Sequence, residues 1–268
     1  MIKFDIITIF PKIFDSYSAQ SAEQGSAGLA GSYFNESILG RAQKKKLIKI
    51  GIHNLRDFTS DKHKKVDDRP YGGGAGMIFK VEPIFKAVNA LKKIKNSKLQ
   101  TLNKSKIQNP KSKIRVLLFS AKGKTMTQQD VRRWVKYDQL ILICGRYEGV
   151  DERVAEHIAD EEVSVGNYVL TGGEIPAMIV VDAVSRLIPG VLGKKESLEE
   201  ESFIKIQNSK WNKFVASDSK IQNYYLEYPQ YTRPEIFKKW KVPKVLLDGN
   251  HKKIKEWRDK VSKKYAEF

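Results

Sequence analysis

Three glycines stand among apolar side chains in the stretch Val163-Ser164-Val165-Gly166-Asn167-Tyr168-Val169-Leu170-Thr171-Gly172-Gly173-Glu174. A flexible linker would be polar, whereas this stretch keeps Val165, Val169 and Leu170. Glycine lets the backbone bend sharply and approach a ligand closely, because it has no Cβ. The pattern predicts a packed loop that faces a ligand, and the alternative interpretation is a tight structural turn.

Two other segments have a related form, in which an apolar run ends in a glycine. They are LLFSAKG at residues 117–123 and CGRYEG at residues 144–149, which follows the apolar residues 140–143. A buried strand that leads into a ligand-facing loop has this form. The sequence therefore predicts three such loops beside one another.

Strand-like and helix-like patterns alternate around these loops. Strands are predicted at residues 2–9, 48–55, 114–119 and 139–144, and helices at 81–91, 128–137, 151–158 and 176–187. Thr127 is the expected N-cap of the helix at 128, with Asp130 three residues later. This alternation predicts an α/β domain with a mainly parallel sheet.

Composition restricts the class of partner and the compartment. The 268 residues contain 49 Lys and Arg against 31 Asp and Glu, a net charge of +18. Such an excess favours a polyanionic partner, most simply a nucleic acid, although lysines also serve solubility alone. Cys144 is the only cysteine, which excludes an intrachain disulfide and favours a reducing compartment. With neither a signal peptide nor a transmembrane run predicted, we expect a cytoplasmic protein without membrane partners.

The remaining segments complete the predicted organisation. We expect the α/β domain to end near residue 192, followed by a linker to 224 and a helical domain at 225–268. Trp240 and Trp257 are placed in the core of this helical domain, and the alternative is that they are base-stacking platforms. Loop-like inserts are expected near 19–33 and 92–113, the second with eight lysines and no acid. Four scattered histidines and one cysteine support no metal site, and no P-loop or dinucleotide motif is present.

Taken together, the ordered motifs resemble the bacterial tRNA (guanine-N1)-methyltransferases of the SPOUT superfamily. The resemblance extends from Ile2 to about Lys264, interrupted by inserts near 19–33, 92–113 and 204–223. The motifs that carry it are DDRPYGGGAGM at 67–77, CGRYEGVDER at 144–153, residues 164–174, RLIPGVL at 186–192, YTRPE at 231–235 and LDGNH at 247–251.

The resemblance implies a trefoil-knotted domain that binds S-adenosylmethionine, with a small C-terminal tRNA-binding domain. It implies a homodimer whose active site is shared between the chains, and Mg²⁺ as a possible aid. By position, the implied cofactor-binding residues are Phe119, Ser120, Ala121, Gly145, Tyr147, Ser164, Val165, Gly166, Asn167, Tyr168, Val169, Leu170, Gly172 and Gly173. The family usually has proline where this chain has Ala121.

The implied reaction is methyl transfer to N1 of the guanine at position 37 of tRNA. The resemblance assigns the general base to Glu201, where the family has aspartate, and the O6 donor to Arg186; Glu148 lies near the methionine end of the cofactor. It places Gly76 and Arg233 at the tRNA. The alternatives are a solvated acidic linker around Glu201 and an ordinary helix-end arginine at 186. A SPOUT-type enzyme for another RNA nucleotide, or a non-catalytic RNA-binding relative, also stays open.

Overall fold

A computed structural model of the chain describes residues 1–14, 33–98, 113–193, 202–205 and 224–266. The chain divides into two compact units, Met1–Gly193 and Lys194–Phe268. Glu201 lies outside the described residues, as do residues 15–32 and 99–112, which contain most of the predicted inserts near 19–33 and 92–113.

The first unit contains seven strands, β1 (Ile2–Thr8), β2 (Ile48–Asn54), β3 (Asp67–Asp68), β4 (Ile78–Phe79), β5 (Ile114–Thr125), β6 (Gln139–Cys144) and β7 (Glu161–Ser164). Five of them form a parallel sheet with the strand order β2-β1-β6-β5-β7. The two short strands β3 and β4 pair with each other. The helices are α1 (Ser37–Lys44), α2 (Val81–Lys98), α3 (Gln128–Trp134), α4 (Glu152–His157) and α5 (Glu174–Arg186).

Helices cover both faces of this sheet, which explains why its strands β5 and β6 contain continuous apolar runs. Successive residues point to opposite faces, so that Ile6 packs in a core with α1, α3 and α5, whereas Ile7 packs in a second core with α2 and α4. The predicted α/β class with a mainly parallel sheet is confirmed.

Three element predictions were incomplete. Helix α2 continues seven residues beyond Leu91 to Lys98, into a segment expected to be a loop, because lysine is a good helix former. Strand β5 continues to Thr125, and β7 was not predicted. Both differences have one cause: β7 pairs with β5 on each side of a bulge, through Phe119 opposite Val163 and then Lys124 opposite Val163. Phe85, an apolar residue of α2, is 54% exposed.

The predicted capping box at α3 is confirmed. The carboxylate of Asp130 accepts hydrogen bonds from the backbone N–H of Thr127 at 3.0 Å and from its hydroxyl at 2.8 Å. Arg133 and Lys124 also donate to Asp130, at 2.8 and 3.2 Å. Burial raises the pKa of Asp130, but these hydrogen bonds outweigh it and lower the pKa to about 2.

This lowered pKa predicts an acid-dependent contribution to stability. Because the folded pKa lies below the unfolded value, the contribution is present above about pH 4 and is lost as the pH falls towards 2. Asp130→Asn should lower the free energy of unfolding by about 1 to 2 kcal/mol at pH 7. Most of this loss comes from the helix cap, because solvent screens the ion pairs of Asp130 with Arg133 and Lys124. Urea unfolding of parent and variant between pH 7 and pH 2 measures this. A stability difference that does not narrow below pH 4 would contradict the assignment.

The second unit is less helical than the sequence suggested. It contains β8 (Ile204–Lys205) paired with β9 (Tyr224–Tyr225), a hairpin of β10 (Ile236–Phe237) and β11 (Trp240–Lys241), a 3-10 turn and α6 (His251–Ala266). The prediction of helix for residues 225–250 was wrong, because short extended segments and turns occupy that range. The placement of Trp240 in a core was also wrong, since it is 69% exposed; Trp257 is half-buried and packs against Tyr231.

None of the helices that the structure describes combines the length and the apolar character needed to cross a bilayer.

Candidate functional site

The three glycine-bearing loops meet at the carboxyl edge of β5, β6 and β7, where they line a cavity of about 460 Å³. Cavities of roughly 300–1,000 Å³ are typical of small-molecule sites, and the carboxyl ends of parallel strands are where such sites usually lie. The nearness of these strand ends therefore brings together residues that are up to 58 positions apart in the sequence, from Leu118 to Pro176.

Most of the residues that the resemblance implied for the cofactor line this cavity. They are Phe119, Ser120, Ala121, Gly145, Tyr147, Ser164, Val165, Tyr168, Val169, Leu170, Gly172 and Gly173. Glu148 lines it as well, whereas Gly166 and Asn167 belong to the third loop but do not border the cavity.

The first wall is the bulge in β5 that interrupts its pairing with β7. Ser120 and Ala121 lie in this bulge, and the next residue, Lys122, forms ion pairs with Glu152 and Glu162. All three charged side chains border the cavity, and the sequence analysis missed them. Lys122 lies within the segment 117–123, but its partners lie 30 and 40 positions further along the chain. Local residue spacing therefore could not predict these ion pairs.

The second and third walls are joined at a pair of glycines. The backbone N–H of Gly173 donates to the carbonyl oxygen of Gly145 at 3.0 Å. A Cβ on Gly173 would lie 2.6 Å from the Cα of Cys144, which no side chain tolerates. Glycine at 173 is therefore required so that the third loop can lie directly on the end of β6.

Arg146 ties the same two loops together through side-chain contacts. Its Nε lies 3.0 Å from Oε2 of Glu174, and its Nη1 donates to the carbonyl oxygen of Thr171 at 3.1 Å. Oε1 of Glu174 accepts from the hydroxyl of Thr8 at 2.7 Å, and Glu174 is only 1% exposed. The guanidinium also lies 4.9 Å from the centre of the Phe10 ring. Sequence reasoning assigned no role to Arg146, although it lies inside one of the quoted motifs.

Removal of Arg146 should leave a buried carboxylate without its cation. We expect Arg146→Gln to destabilise the protein by about 2 to 4 kcal/mol, because an uncompensated buried charge is costly. Thermal and urea unfolding measure the change. In a double-mutant cycle, Arg146→Gln with Glu174→Gln should recover part of the loss.

Arg153→Gln is the matched control, because Arg153 is paired with Asp151 at a solvent-exposed position. This substitution should cost less than about 1 kcal/mol. Equal losses of stability for Arg146→Gln and Arg153→Gln would contradict the claim that the buried Arg146–Glu174 pair stabilises the protein.

The glycine-rich segment 72–76 approaches the cavity through Glu148. A Cβ on Gly76 would lie 2.7 Å from Cγ of Glu148, and the N–H of Glu148 donates to the carbonyl oxygen of Met77 at 3.1 Å. Gly76 has a φ of +83°, which glycine adopts without strain. The structure thus places the residue implied for tRNA binding next to the residue implied for the methionine end of the cofactor.

Tyr147 adopts a strained backbone conformation beside this contact. Its φ is +59°, unusual for a residue with a side chain, and its ring meets Phe79 edge to face with centroids 5.6 Å apart. Such strain persists only where surrounding contacts enforce it, and it is concentrated at functional sites. Here the backbone bonds of Phe79 to Gly149 and Asp151 hold the turn, at 3.1 and 2.9 Å.

The third loop is shaped by its own side chains. The hydroxyl of Ser164 donates to the carbonyl oxygen of Gly166 at 2.8 Å and accepts from the N–H of Gly166 at 3.2 Å. Three apolar residues that follow, Tyr168, Val169 and Leu170, stay exposed while they border the cavity. An apolar group in the cavity would therefore find side chains able to cover it.

Among the described residues of the first unit, Arg186 does not border the cavity. Arg186 ends α5, whose first residue borders the third loop; twelve residues of helix place it about 18 Å away along the axis. Arg233 is exposed and belongs to the second unit. Glu201 lies outside the described residues.

Two kinds of chemistry receive no support from this site. Burial raises the pKa of the Cys144 thiol well above its usual value, so that it is not poised as a nucleophile. The described residues contain no group of three His, Cys, Asp or Glu side chains placed to hold a metal ion.

The fold and the site define an α/β protein with a ligand cavity made from three glycine-bearing loops at one edge of a parallel sheet. Residues 2–267 match the family model described as tRNA (Guanine-1)-methyltransferase TrmD, and the chain belongs to that family. The resemblance found in the sequence is thereby confirmed.

Proteins named tRNA (guanine-N(1)-)-methyltransferase are similar over nearly the whole chain. One from Dictyoglomus turgidum is 47% identical over 97% of this chain and 84% of its own length. One from Dehalococcoides mccartyi is 44% identical over 97% of this chain and 86% of its own. One from Clostridioides difficile is 43% identical, with coverages of 96% and 90%.

Proposed function

We propose that this enzyme transfers a methyl group from S-adenosylmethionine to N1 of the guanine at position 37 of tRNA. The observation that carries the proposal is the convergence of three glycine-bearing loops on one cavity in a member of the TrmD family. The family relationship indicates that tRNA is the substrate and that N1 of guanine is the methylated atom. Position 37 and the cofactor follow from the motif resemblance.

The cavity residues fit S-adenosylmethionine. S-adenosylmethionine would supply a methyl group activated by its sulfonium charge. Apolar Val165 and Leu170 suit the adenine, and the glycine-flanked backbone at 145 and 172 offers N–H and C=O groups at close approach. The carboxylate of Glu148 suits a positively charged ligand. No comparable set fits Mg²⁺ among the described residues, and we derive no step through that ion.

Two groups of the chain would act on the guanine. At neutral pH guanine N1 carries a proton, and its lone pair is not available for attack. A general base must accept that proton, and we assign this role to Glu201. As the proton leaves, negative charge builds on O6, and we assign its stabilisation to the guanidinium of Arg186. The segment 72–76, next to Glu148, would line the space for the base.

We further propose a homodimer with shared active sites. Helix α5 presents an apolar stripe in which Ile175 is exposed and Met178 and Ile179 are half-buried. The charged residues Asp182 and Arg186 lie on the same face of the helix, at helical spacing from the apolar stripe. Two such helices packed antiparallel about a two-fold axis would bring the partner subunit's Arg186 to the end of α5 that borders the cavity. The separation of about 18 Å within one chain thus supports a site completed by a second chain.

A charge in the stripe should prevent this pairing. We expect the parent protein to sediment as a dimer and Ile175→Glu as a monomer, because a carboxylate would be buried without a partner. Phe85→Glu, at a similarly exposed apolar position on α2, should remain dimeric. A monomeric parent in sedimentation velocity would contradict the shared site.

Further parts of the proposal concern topology, RNA contacts and compartment. We propose that the three loops form the trefoil knot that the family resemblance implies; the contact of Gly173 with Gly145 and the pairing of β7 on both sides of the β5 bulge support it. Arg233 and the lysines of α6 would contact tRNA phosphates. A tRNA substrate and a single cysteine support a cytoplasmic location.

The proposed function predicts transfer of tritium from labelled S-adenosylmethionine to unmodified tRNA. Calorimetry with the cofactor, performed separately, distinguishes loss of catalysis from loss of binding. Cofactor and tRNA binding without transfer would identify a non-catalytic RNA-binding protein instead. Transfer to a nucleotide other than guanine would identify a different methyltransferase.

A further inference from the structure

The tip of the β10–β11 hairpin is a compact aromatic and basic surface. Phe237 and Trp240 face each other across the two strands and are joined by the two residues Lys238 and Lys239. The hairpin is closed by the N–H of Val242, which donates to the carbonyl oxygen of Glu235 at 2.9 Å. We call residues 237–240 the hairpin tip.

Backbone strain at the tip indicates that its shape is enforced. Lys238 has a φ of +55°, in the left-handed region that two-residue hairpin turns usually fill with glycine or asparagine. A lysine there costs conformational energy, and strained residues are concentrated at active sites, ligand clamps and switch regions. The Nζ of Lys238 lies 5.8 Å from the centre of the Phe237 ring, so the cation stays beside the aromatic surface.

Both aromatic rings of the tip are open to solvent. Phe237 is 55% and Trp240 is 69% exposed, and their centroids lie 5.7 Å apart at an interplanar angle of 44°. Directly opposite residues of an antiparallel pair project to the same face of the hairpin. The tip therefore offers two adjacent rings on one side. Single exposed apolar residues are common on protein surfaces, whereas adjacent exposed rings indicate an interaction site.

The charge around these rings favours an anionic partner. No acidic residue occurs between Ile236 and Leu247, and this range holds four lysines: Lys238, Lys239, Lys241 and Lys244. Within the part of the chain that the structure describes, none of the four is paired with a carboxylate. Two rings cover much less than the roughly 800 Å² per partner of a stable protein–protein interface, so RNA suits this tip better than a second copy of the chain.

We propose that the hairpin tip is a stacking platform for an unpaired base of the tRNA, with Trp240 as its main surface and Lys238 and Lys239 on the flanking phosphates. Aromatic side chains interleaved with lysines bind single-stranded nucleic acid in this way, because every base has a π-face. The proposal deepens the proposed function, on which it rests for the identity of the RNA. It adds a tRNA contact in the second unit that binds a base by stacking, beside the lysines that bind phosphates by charge.

Affinity for unmodified tRNA, measured at several salt concentrations, tests the platform. We expect Trp240→Ala to weaken binding about 10-fold or more, the loss typical of one stacked base, and Trp240→Phe to stay within about threefold of the parent. The slope of log affinity against log salt should not change in Trp240→Ala, because stacking releases no counterions. Lys238→Ala combined with Lys239→Ala should instead flatten that slope by about 1 to 2.

Three controls separate the platform from other roles. Phe85→Ala removes an equally exposed ring from the first unit and should bind tRNA like the parent. A fully paired RNA duplex without loops should bind Trp240→Ala and the parent equally. Tryptophan emission should be quenched by tRNA in the parent, and this quenching should be weaker in Trp240→Phe.

Parent-like tRNA affinity of Trp240→Ala would overturn the proposal, as would conversion of a parent dimer to a monomer, which would assign the tip to contact between copies. Cofactor binding by Trp240→Ala should equal that of the parent, because the cavity lies in the first unit. If the parent protein binds tRNA through Trp240 but transfers no methyl group, the proposed function fails while the platform stands.

Discussion

Gly172→Val should lower the affinity for S-adenosylmethionine at least ~100-fold while the protein still folds. A Cβ at position 172 would lie 2.2 Å from Nε of Arg146 and 2.7 Å from Oε2 of Glu174. The valine would therefore act first on the Arg146–Glu174 pair that holds two cavity walls together, and through it on the ligand. Displacement of two cavity walls would remove ligand contacts on both sides, and about 2.8 kcal/mol of lost contact energy corresponds to a 100-fold loss of affinity. Calorimetry with the cofactor measures the loss.

Gly193→Val is the matched control for this substitution. Nothing lies within 4 Å of a Cβ at position 193, and that residue does not border the cavity. Its cofactor affinity should equal that of the parent. Unchanged affinity for S-adenosylmethionine in a folded Gly172→Val protein would contradict the assignment of the third loop to the cofactor.

Glu201→Gln should slow methyl transfer at least ~100-fold with cofactor binding intact, because the amide keeps the size of the carboxylate but cannot accept the N1 proton. The assignment rests on the position of Glu201 directly before Ser202-Phe203. Oγ of Ser202 accepts a hydrogen bond from the N–H of Glu227 at 3.1 Å, so the residue after the proposed base is anchored within the second unit. Single-turnover rates on one tRNA are the appropriate measurement, since slow product release otherwise hides the chemical step.

The acidic neighbours of Glu201 provide its controls. Glu200→Gln and Glu199→Gln remove the same charge and should keep the parent rate, and Glu201→Asp should retain or raise it. A parent-like rate for Glu201→Gln together with a slow Glu200→Gln would move the base by one residue. Parent-like rates for all three glutamine variants would remove the carboxylate from the mechanism.

Features determined by short stretches of sequence were predictable. The capping box of α3 needs only Thr127 and Asp130, three positions apart, and β6 is an uninterrupted apolar run. The glycine spacing in residues 163–174 similarly marked the third loop, because closely packed side chains and backbone leave no room for Cβ atoms there. These signals were enough to place a cavity at the strand ends.

Features that depend on distant residues were not predictable. Strand β7 has the sequence Glu-Glu-Val-Ser and lacks an apolar run; it is a strand because β5 pairs with it on both sides of a bulge. The pair of Arg146 and Glu174 joins residues 28 positions apart. Trp240 was placed in a core because tryptophan is usually buried. The structure places it next to a two-residue hairpin turn, where it is exposed, and its residue type does not predict that turn.

The central claim is methylation at N1 of guanine 37, and nucleoside mass spectrometry of the product tRNA tests it most directly. Unmodified tRNA with guanine at position 37 is incubated with the enzyme and S-adenosylmethionine, beside the same tRNA with adenine at that position. We predict 1-methylguanosine in the first tRNA, mapped to position 37, and no methylated nucleoside in the second. A methyl group at another position or atom, or equal methylation of both tRNAs, would contradict the account.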